Sequence, residues 1–308
     1  MNMIRASAAT LTDPDYSALD FPVERRPIYG RRLDAFGNEI FTEIPDKFEN
    51  VRLDTSKSMG VVGKRYHVTP YINHARNIVE AFNESRNDVN LDGATTHFEV
   101  FEGGRKMQAK IILPNETIEP AIGDVSRCEF LDFDSYDASW ARKLNYRQFR
   151  YWCSNGCDHQ DFKINFYQKH TVGHSSDEAI AKLKDRIVKS IQAFHNNEAM
   201  FKSWINTPIE FDDAMGIYKN TIAAYRDNKG RKRHSEAMIK ELDPILHHNS
   251  QTLGMNGWAV YNAATEWATH LGDNFKGAAH NVRRNRSTKI AKMLRTDTWK
   301  SYFGDDHE

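Results

Sequence analysis

Thr96-His-Phe-Glu-Val-Phe-Glu-Gly-Gly-Arg-Lys-Met-Gln-Ala-Lys-Ile-Ile-Leu113 is the stretch on which the fold turns. Two β-compatible runs, 96–101 and 106–113, flank Glu102-Gly-Gly-Arg105. Adjacent glycines supply the positive φ values that a tight hairpin turn requires. An antiparallel strand pair is therefore predicted in the first half of the chain.

Further strands follow. Arg127 to Phe133 sets Cys128, Phe130 and Asp132 against Glu129, Leu131 and Phe133, and Arg142 to Cys153 is rich in aromatics, with Asp134-Ser-Tyr-Asp137 as the turn between them. Asp161 to His170 alternates Phe162, Ile164 and Phe166 against Lys163, Asn165 and Tyr167, the period of a strand with one buried face. The pattern then changes to that of a helix. Ser175-Ser-Asp-Glu178 forms a capping box, and Ile180, Leu183, Ile187, Val188, Ile191 and Phe194 make one apolar stripe that runs to Trp204, with Pro208 as the stop.

On the N-terminal side, Tyr71, Ile72, Ala75, Ile78, Val79 and Phe82 recur at helical spacing. Residues 1–58 carry spaced prolines and no sustained period, so they read as an extended arm that needs a surface to dock on. After Pro208, helices are predicted over Asp212 to Arg226, Ser235 to Leu246, Asn256 to Leu271 and Arg283 to Leu294, with a polar break at 227–230. The expectation is an α+β protein: a curled antiparallel sheet of about five strands backed by one long helix, with a helical C-terminal part. The segments expected are an arm (1–58), a core domain (59–207) and a helical region (208–308).

With 308 residues and 40% apolar content, the chain can bury a core without metal or disulfide staples, and no cofactor is expected. No run approaches the roughly 18 apolar residues of a membrane span, and Met1 to Thr10 lacks the apolar core of a signal peptide. Three cysteines, Cys128, Cys153 and Cys157, suit a reducing compartment, so a cytoplasmic location is expected. Cations and carboxylates balance at 42 each, so net charge names no partner. They are segregated, however: Glu116 to Asp137 is acidic, Arg142 to Arg150 basic, and later clusters lie at Lys229-Gly-Arg-Lys-Arg233 and Arg283-Arg-Asn-Arg286.

Three constellations bear on chemistry. Cys153-x3-Cys157-x12-His170-x3-His174 has the spacing of a two-Cys, two-His zinc site, but the intervening segment alternates like a strand where such a finger needs a helix. Asp132, Asp134 and Asp137 could hold a divalent ion for a nuclease, whereas carboxylates between strands ordinarily bond their own turn. No nucleophile elbow, Walker loop or dinucleotide fingerprint is present, and no catalytic residue is assigned. The third constellation interleaves cations with flat rings: Arg142, Lys143, Tyr146, Arg147, Phe149, Arg150, Tyr151 and Trp152. Cations beside rings can follow a sugar-phosphate backbone while bases stack, which suits single strands because no groove is needed. The expected phosphate contacts are Arg105, Arg142, Lys143, Arg147, Arg150, Lys163 and Lys169, and period-2 geometry groups Lys143 and Arg147, joined by Lys163, apart from Arg142 and Arg150.

Gly63-Lys-Arg-Tyr66, Glu102-Gly-Gly-Arg105, Asp134-Ser-Tyr-Asp-Ala-Ser139, Arg150-Tyr-Trp-Cys-Ser-Asn-Gly156, Lys169-His-Thr171 and Trp258-Ala-Val-Tyr-Asn262 resemble, in order and spacing, a phage- and plasmid-related family of unknown function. The resemblance spans about residues 50 to 275 and implies a mobile-element origin with no established reaction; Ala138 stands where that family often has Gly. The order of helix, hairpin, further strands and long helix is also similar to the core of phage single-strand annealing proteins, the ring-forming recombinases. That similarity implies single-stranded DNA binding and annealing in recombination or replication by a ring or filament of identical protomers, without a catalytic residue. A metal-dependent nuclease and a zinc-stabilised interaction module are the alternatives.

Overall fold

The computed structural model describes residues 9–11, 14–150, 155–158, 166–171, 176–271 and 279–304. Eleven strands and seven helices are formed among them. The strands are β1 (Val23–Leu33), β2 (Glu39–Arg52), β3 (Lys57–Gly63), β4 (Thr95–Phe101), β5 (Lys106–Ile118), β6 (Ser126–Ser135), β7 (Arg142–Arg150), β8 (Asn155–Asp158), β9 (Phe166–Gln168), β10 (Ala224–Arg226) and β11 (Lys232–His234). The helices are α1 (Tyr71–Glu84), α2 (Ser176–Ile205), α3 (Phe211–Asn220), α4 (Glu236–Leu253), α5 (Gly257–Thr269), α6 (Ala279–Leu294) and α7 (Asp297–Phe303). This is the α+β class expected, with antiparallel pairing and a helical C-terminal part.

The main sheet has the order β4-β5-β6-β7-β8, and β9 pairs with β7 as well. Its founding pair is the predicted hairpin, in register from Thr95 opposite Ile112 to Phe101 opposite Lys106. Glu102, Gly103 and Gly104 all take positive φ at the turn, and a Cβ on Gly104 would stand 2.9 Å from the Phe21 ring, so only glycine fits there. Both faces of β6 are buried: Cys128, Phe130 and Asp132 on one, Glu129 and Leu131 on the other. Of the strand expected over 161–170, residues 166–168 form β9 and 161–165 lie outside the described residues. The capping residue Ser175 also lies outside them, while Ile180, Leu183, Ile187, Ile191 and Phe194 of α2 are buried as the stripe required.

Two departures have local causes. Within the segment 1–58 expected as an extended arm without a sustained period, residues from Val23 onward form regular strands of a three-stranded antiparallel sheet, β1-β2-β3, that runs to Gly63; a turn at Asp34, whose carboxylate accepts from the Phe36 and Asn38 amides, closes the β1–β2 hairpin. The helix expected over 212–226 ends at Asn220, and Ala224–Arg226 pairs with Lys232–His234 across the 227–230 turn.

The chain forms two compact units from interleaved segments: 1–116, 129–146 and 161–191 in one; 117–128, 147–160 and 192–308 in the other. The first centres on Leu19, Phe21, Met59, Tyr71, Ala75, Met107 and Tyr136. The second centres on a stack of rings, with Phe201, Trp204, Trp258, Tyr261 and Trp299 at centroid separations of 4.7 to 5.7 Å. Helix α5 is largely apolar and buried except at Glu266 and Thr269, and Asn256 caps it by accepting from the Ala259 amide at 3.0 Å.

Candidate nucleic-acid interface

Beneath α1, in the first unit, the motif residues converge on one buried polar cluster. The Tyr66 hydroxyl donates to the Ser135 carbonyl at 2.6 Å, and its ring stacks on His170 at 4.8 Å. His170 Nε2 lies 2.9 Å from the Trp140 carbonyl and 3.2 Å from Asp134, whose other oxygen accepts from Arg142 Nε at 3.0 Å. The Tyr136 hydroxyl oxygen accepts from the Tyr71 amide at 3.0 Å, and the two rings stack at 4.0 Å. His74 Nε2 pairs with Asp132 at 3.0 Å.

Burial sets the proton chemistry of this cluster. It pushes the Asp132 carboxyl up, with the His74 charge opposing, and pushes the His170 imidazole down, with Asp134 opposing. The phenols of Tyr66, Tyr71 and Tyr136 are raised, chiefly by burial, and stay protonated. Asp132 and Asp134 are therefore walled in and partnered, and Asp137 accepts from the Ser139 amide in its own turn at 2.9 Å. Among the described residues no group of three His, Cys, Asp or Glu is placed to hold a metal. Of the zinc candidates, Cys153 and His174 lie outside the described residues, Cys157 contributes backbone to β8 opposite Gln148, and His170 belongs to the buried cluster.

The expected phosphate contacts separate by face, as period-2 geometry requires. Two of them, Arg142 and Arg150, are turned inward as partners of buried carboxylates. Arg142 holds Asp134, and in the second unit Arg150 Nε is hydrogen-bonded to Asp124, whose other oxygen accepts from Trp258 Nε1 at 2.6 Å. Each of the two guanidinium groups thus already has a carboxylate counter-charge within the protein. Lys143 and Arg147 are half-buried on the opposite side of β7.

Lys143 stands directly opposite Tyr167 of β9, so the two side chains share a face. Tyr167 is 49% exposed, and Lys169 two residues on is exposed. The neighbouring segment bonds to this one through the His67 amide and the His170 carbonyl at 2.9 Å, with Arg65 and His67 exposed on either side of inward Tyr66. Arg105 is exposed at the hairpin turn, on a cavity of about 380 Å³ lined also by Lys57, Ser58 and Gly103. Lys163 lies outside the described residues. Tyr167 was visible in the sequence as the polar-side ring of an alternating strand; Asp124, one carboxylate in an acidic stretch, carried no signal of its partners.

These features define an α+β protein with an open antiparallel sheet, a buried acid–imidazole–phenol cluster under its first helix, and a cation-and-ring edge at β7 and β9. Residues 58–293 match the family model described as a domain of unknown function, DUF932, and the chain belongs to that family. No curated protein and no solved structure matches the chain. No helix among the described residues is long and apolar enough to cross a membrane.

Proposed function

We propose that this protein binds single-stranded DNA and anneals complementary strands in phage or mobile-element recombination or replication. The observation that carries the reading is the half-exposed ring of Tyr167 in register with Lys143 and followed by exposed Lys169. A ring flanked by cations offers a base a stacking surface and the adjoining phosphates their counter-charges, and it demands no groove. Arg65 extends the cationic edge on the neighbouring segment. Annealing by this route uses no catalytic residue: strands are held with bases accessible and released as duplex.

The assembly proposed is a homo-oligomer, a ring or filament, bridged by the β1–β2 hairpin. Its outer half exposes Tyr29, Leu33, Phe36, Ile40, Phe41 and Ile44, with Phe36 at the tip 90% exposed. On the face that carries Tyr29, Leu33 and Phe41, Arg31 is ion-paired with Glu39, so that face offers a second copy apolar area beside an ion pair, while Ile40 lies on the opposite face.

The test is anisotropy of a fluorescent oligothymidine with the triple variant Lys143→Ala/Tyr167→Ala/Lys169→Ala. Affinity is expected to fall by well over tenfold, with the salt slope reduced by roughly 0.7 for each lost phosphate contact. Wild-type affinity and slope in a folded variant would remove the edge as the binding surface.

A further inference from the structure

The second unit carries a charged feature that the single-strand reading does not use. Strands β10 and β11 form a two-stranded antiparallel ribbon in which every residue is exposed. Arg226, Lys229, Arg231, Lys232 and Arg233 give it five cations, against the one carboxylate of Asp227. That carboxylate is consumed in the turn. It accepts from the Lys229 and Arg231 amides at 2.9 Å each and from Arg231 Nε at 2.9 Å, and these bonds hold its pKa below the usual carboxylate range. The turn is closed further by the Gly230 amide on the Asp227 carbonyl at 2.8 Å and by Arg226 Nη1 on the Gly230 carbonyl at 2.7 Å. The ribbon is thus held in one shape before any partner arrives.

Register distributes the charge over both faces. Tyr225 lies opposite Arg233 on one, and Arg226 opposite Lys232 on the other. A flat acidic protein surface would engage one face and leave the other unpaired, and a membrane would ask for more apolar side chains than Tyr225, which is 52% exposed. A groove whose two walls are rows of phosphates engages both faces at once. The major groove of B-form DNA, about 12 Å wide, admits a two-stranded ribbon, whereas the deep, narrow major groove of A-form RNA does not. At the ribbon's base, Lys289 of α6 donates to the Ile222 carbonyl at 2.6 Å, which ties α6 to the segment that leads into β10.

We propose that the β10–β11 ribbon is a binding element for duplex DNA, entering the major groove with phosphates on both sides. It stands on its own residues and is independent of the edge at Lys143 and Tyr167.

The experiment uses the full chain and three fluorescent probes: duplex DNA, duplex RNA of the same sequence, and oligothymidine. Lys229→Gln/Lys232→Gln removes two cations that take no part in closing the turn. Duplex DNA affinity is expected to fall at least tenfold, with a salt slope lower by about 1.8 if each lysine meets a phosphate, while oligothymidine binding changes less than threefold. Lys229→Arg/Lys232→Arg should restore duplex binding and so separates loss of charge from loss of fold. Unchanged duplex affinity and slope in the Gln variant would overturn the proposal. So would duplex RNA binding as tight as duplex DNA and equally weakened by the substitutions, because the groove would then play no part.

Discussion

His170 Nε2 lies 3.2 Å from Asp134 Oδ1 while the same ring stacks on Tyr66 at 4.8 Å, so one imidazole ties the end of β6 to two segments distant in sequence. Burial lowers its pKa. In the unfolded chain the ring takes up a proton near pH 6.5, and in the folded protein only at lower pH. Between those values the unfolded state binds more protons, so stability is fully present above about pH 6.5 and is lost as pH falls through the folded-state value. Denaturant melts from pH 8 to 5 should show that decline, and His170→Gln should flatten it even though the variant is less stable at pH 8.

The Arg150–Asp124–Trp258 chain makes a separate prediction for the second unit. Asp124 and Arg150 are both buried, so Asp124→Asn removes the charge from a buried ion pair and should cost about 3 to 5 kcal/mol. Trp258→Phe removes one donor from a charged acceptor and a ring edge from the stack around Phe201, a smaller loss of about 1 to 3 kcal/mol. A double variant closer to the larger single value than to the sum is expected, because the two residues share one carboxylate.

Two glycines of β3 should respond differently to alanine. Gly60 has φ +147°, and a Cβ there would stand 2.6 Å from Asp137 Cβ and 2.8 Å from its Cα, so Gly60→Ala should cost roughly 1 to 3 kcal/mol. Gly63 has open space around the same position, and Gly63→Ala should stay within about 0.5 kcal/mol of wild type. Equal effects in thermal melts would show that the approach of β3 to the Asp137 turn is not what constrains this strand.

The hairpin reading of self-assembly predicts a change in mass and not in fold. Leu33→Ser/Phe36→Ser/Phe41→Ser alters only exposed side chains on the outer half of β1 and β2, leaving Val51 and the pairing with β3 intact. Light scattering after gel filtration should report a smaller species with an unchanged circular dichroism spectrum; an unchanged mass would remove the hairpin from the interface.

What the sequence determined by itself is what short-range physics controls. Two adjacent glycines between β-compatible runs imposed the β4–β5 turn, a 3.6-residue apolar stripe imposed α1 and α2, and an asparagine before an apolar run placed the start of α5. Period-2 alternation also separated Lys143 and Arg147 from Arg142 and Arg150 before any partner was known. What those two arginines do was decided only in three dimensions: Asp124 and Trp258 are 134 residues apart, and no local pattern announces that a carboxylate will sit between that indole and Arg150. The same holds for Tyr66, Ser135 and His170, whose motifs are short words scattered through the chain until the fold stacks them. At 221–226 the local signal was misleading, since a helical pattern that runs on to Arg226 ends at Asn220 and Ala224–Arg226 pairs as a ribbon across the polar break at 227–230. Helical preference there is worth only tenths of a kcal/mol per residue, and the alternative, a turn closed on the Asp227 carboxylate by the Lys229 and Arg231 amides, outweighs it.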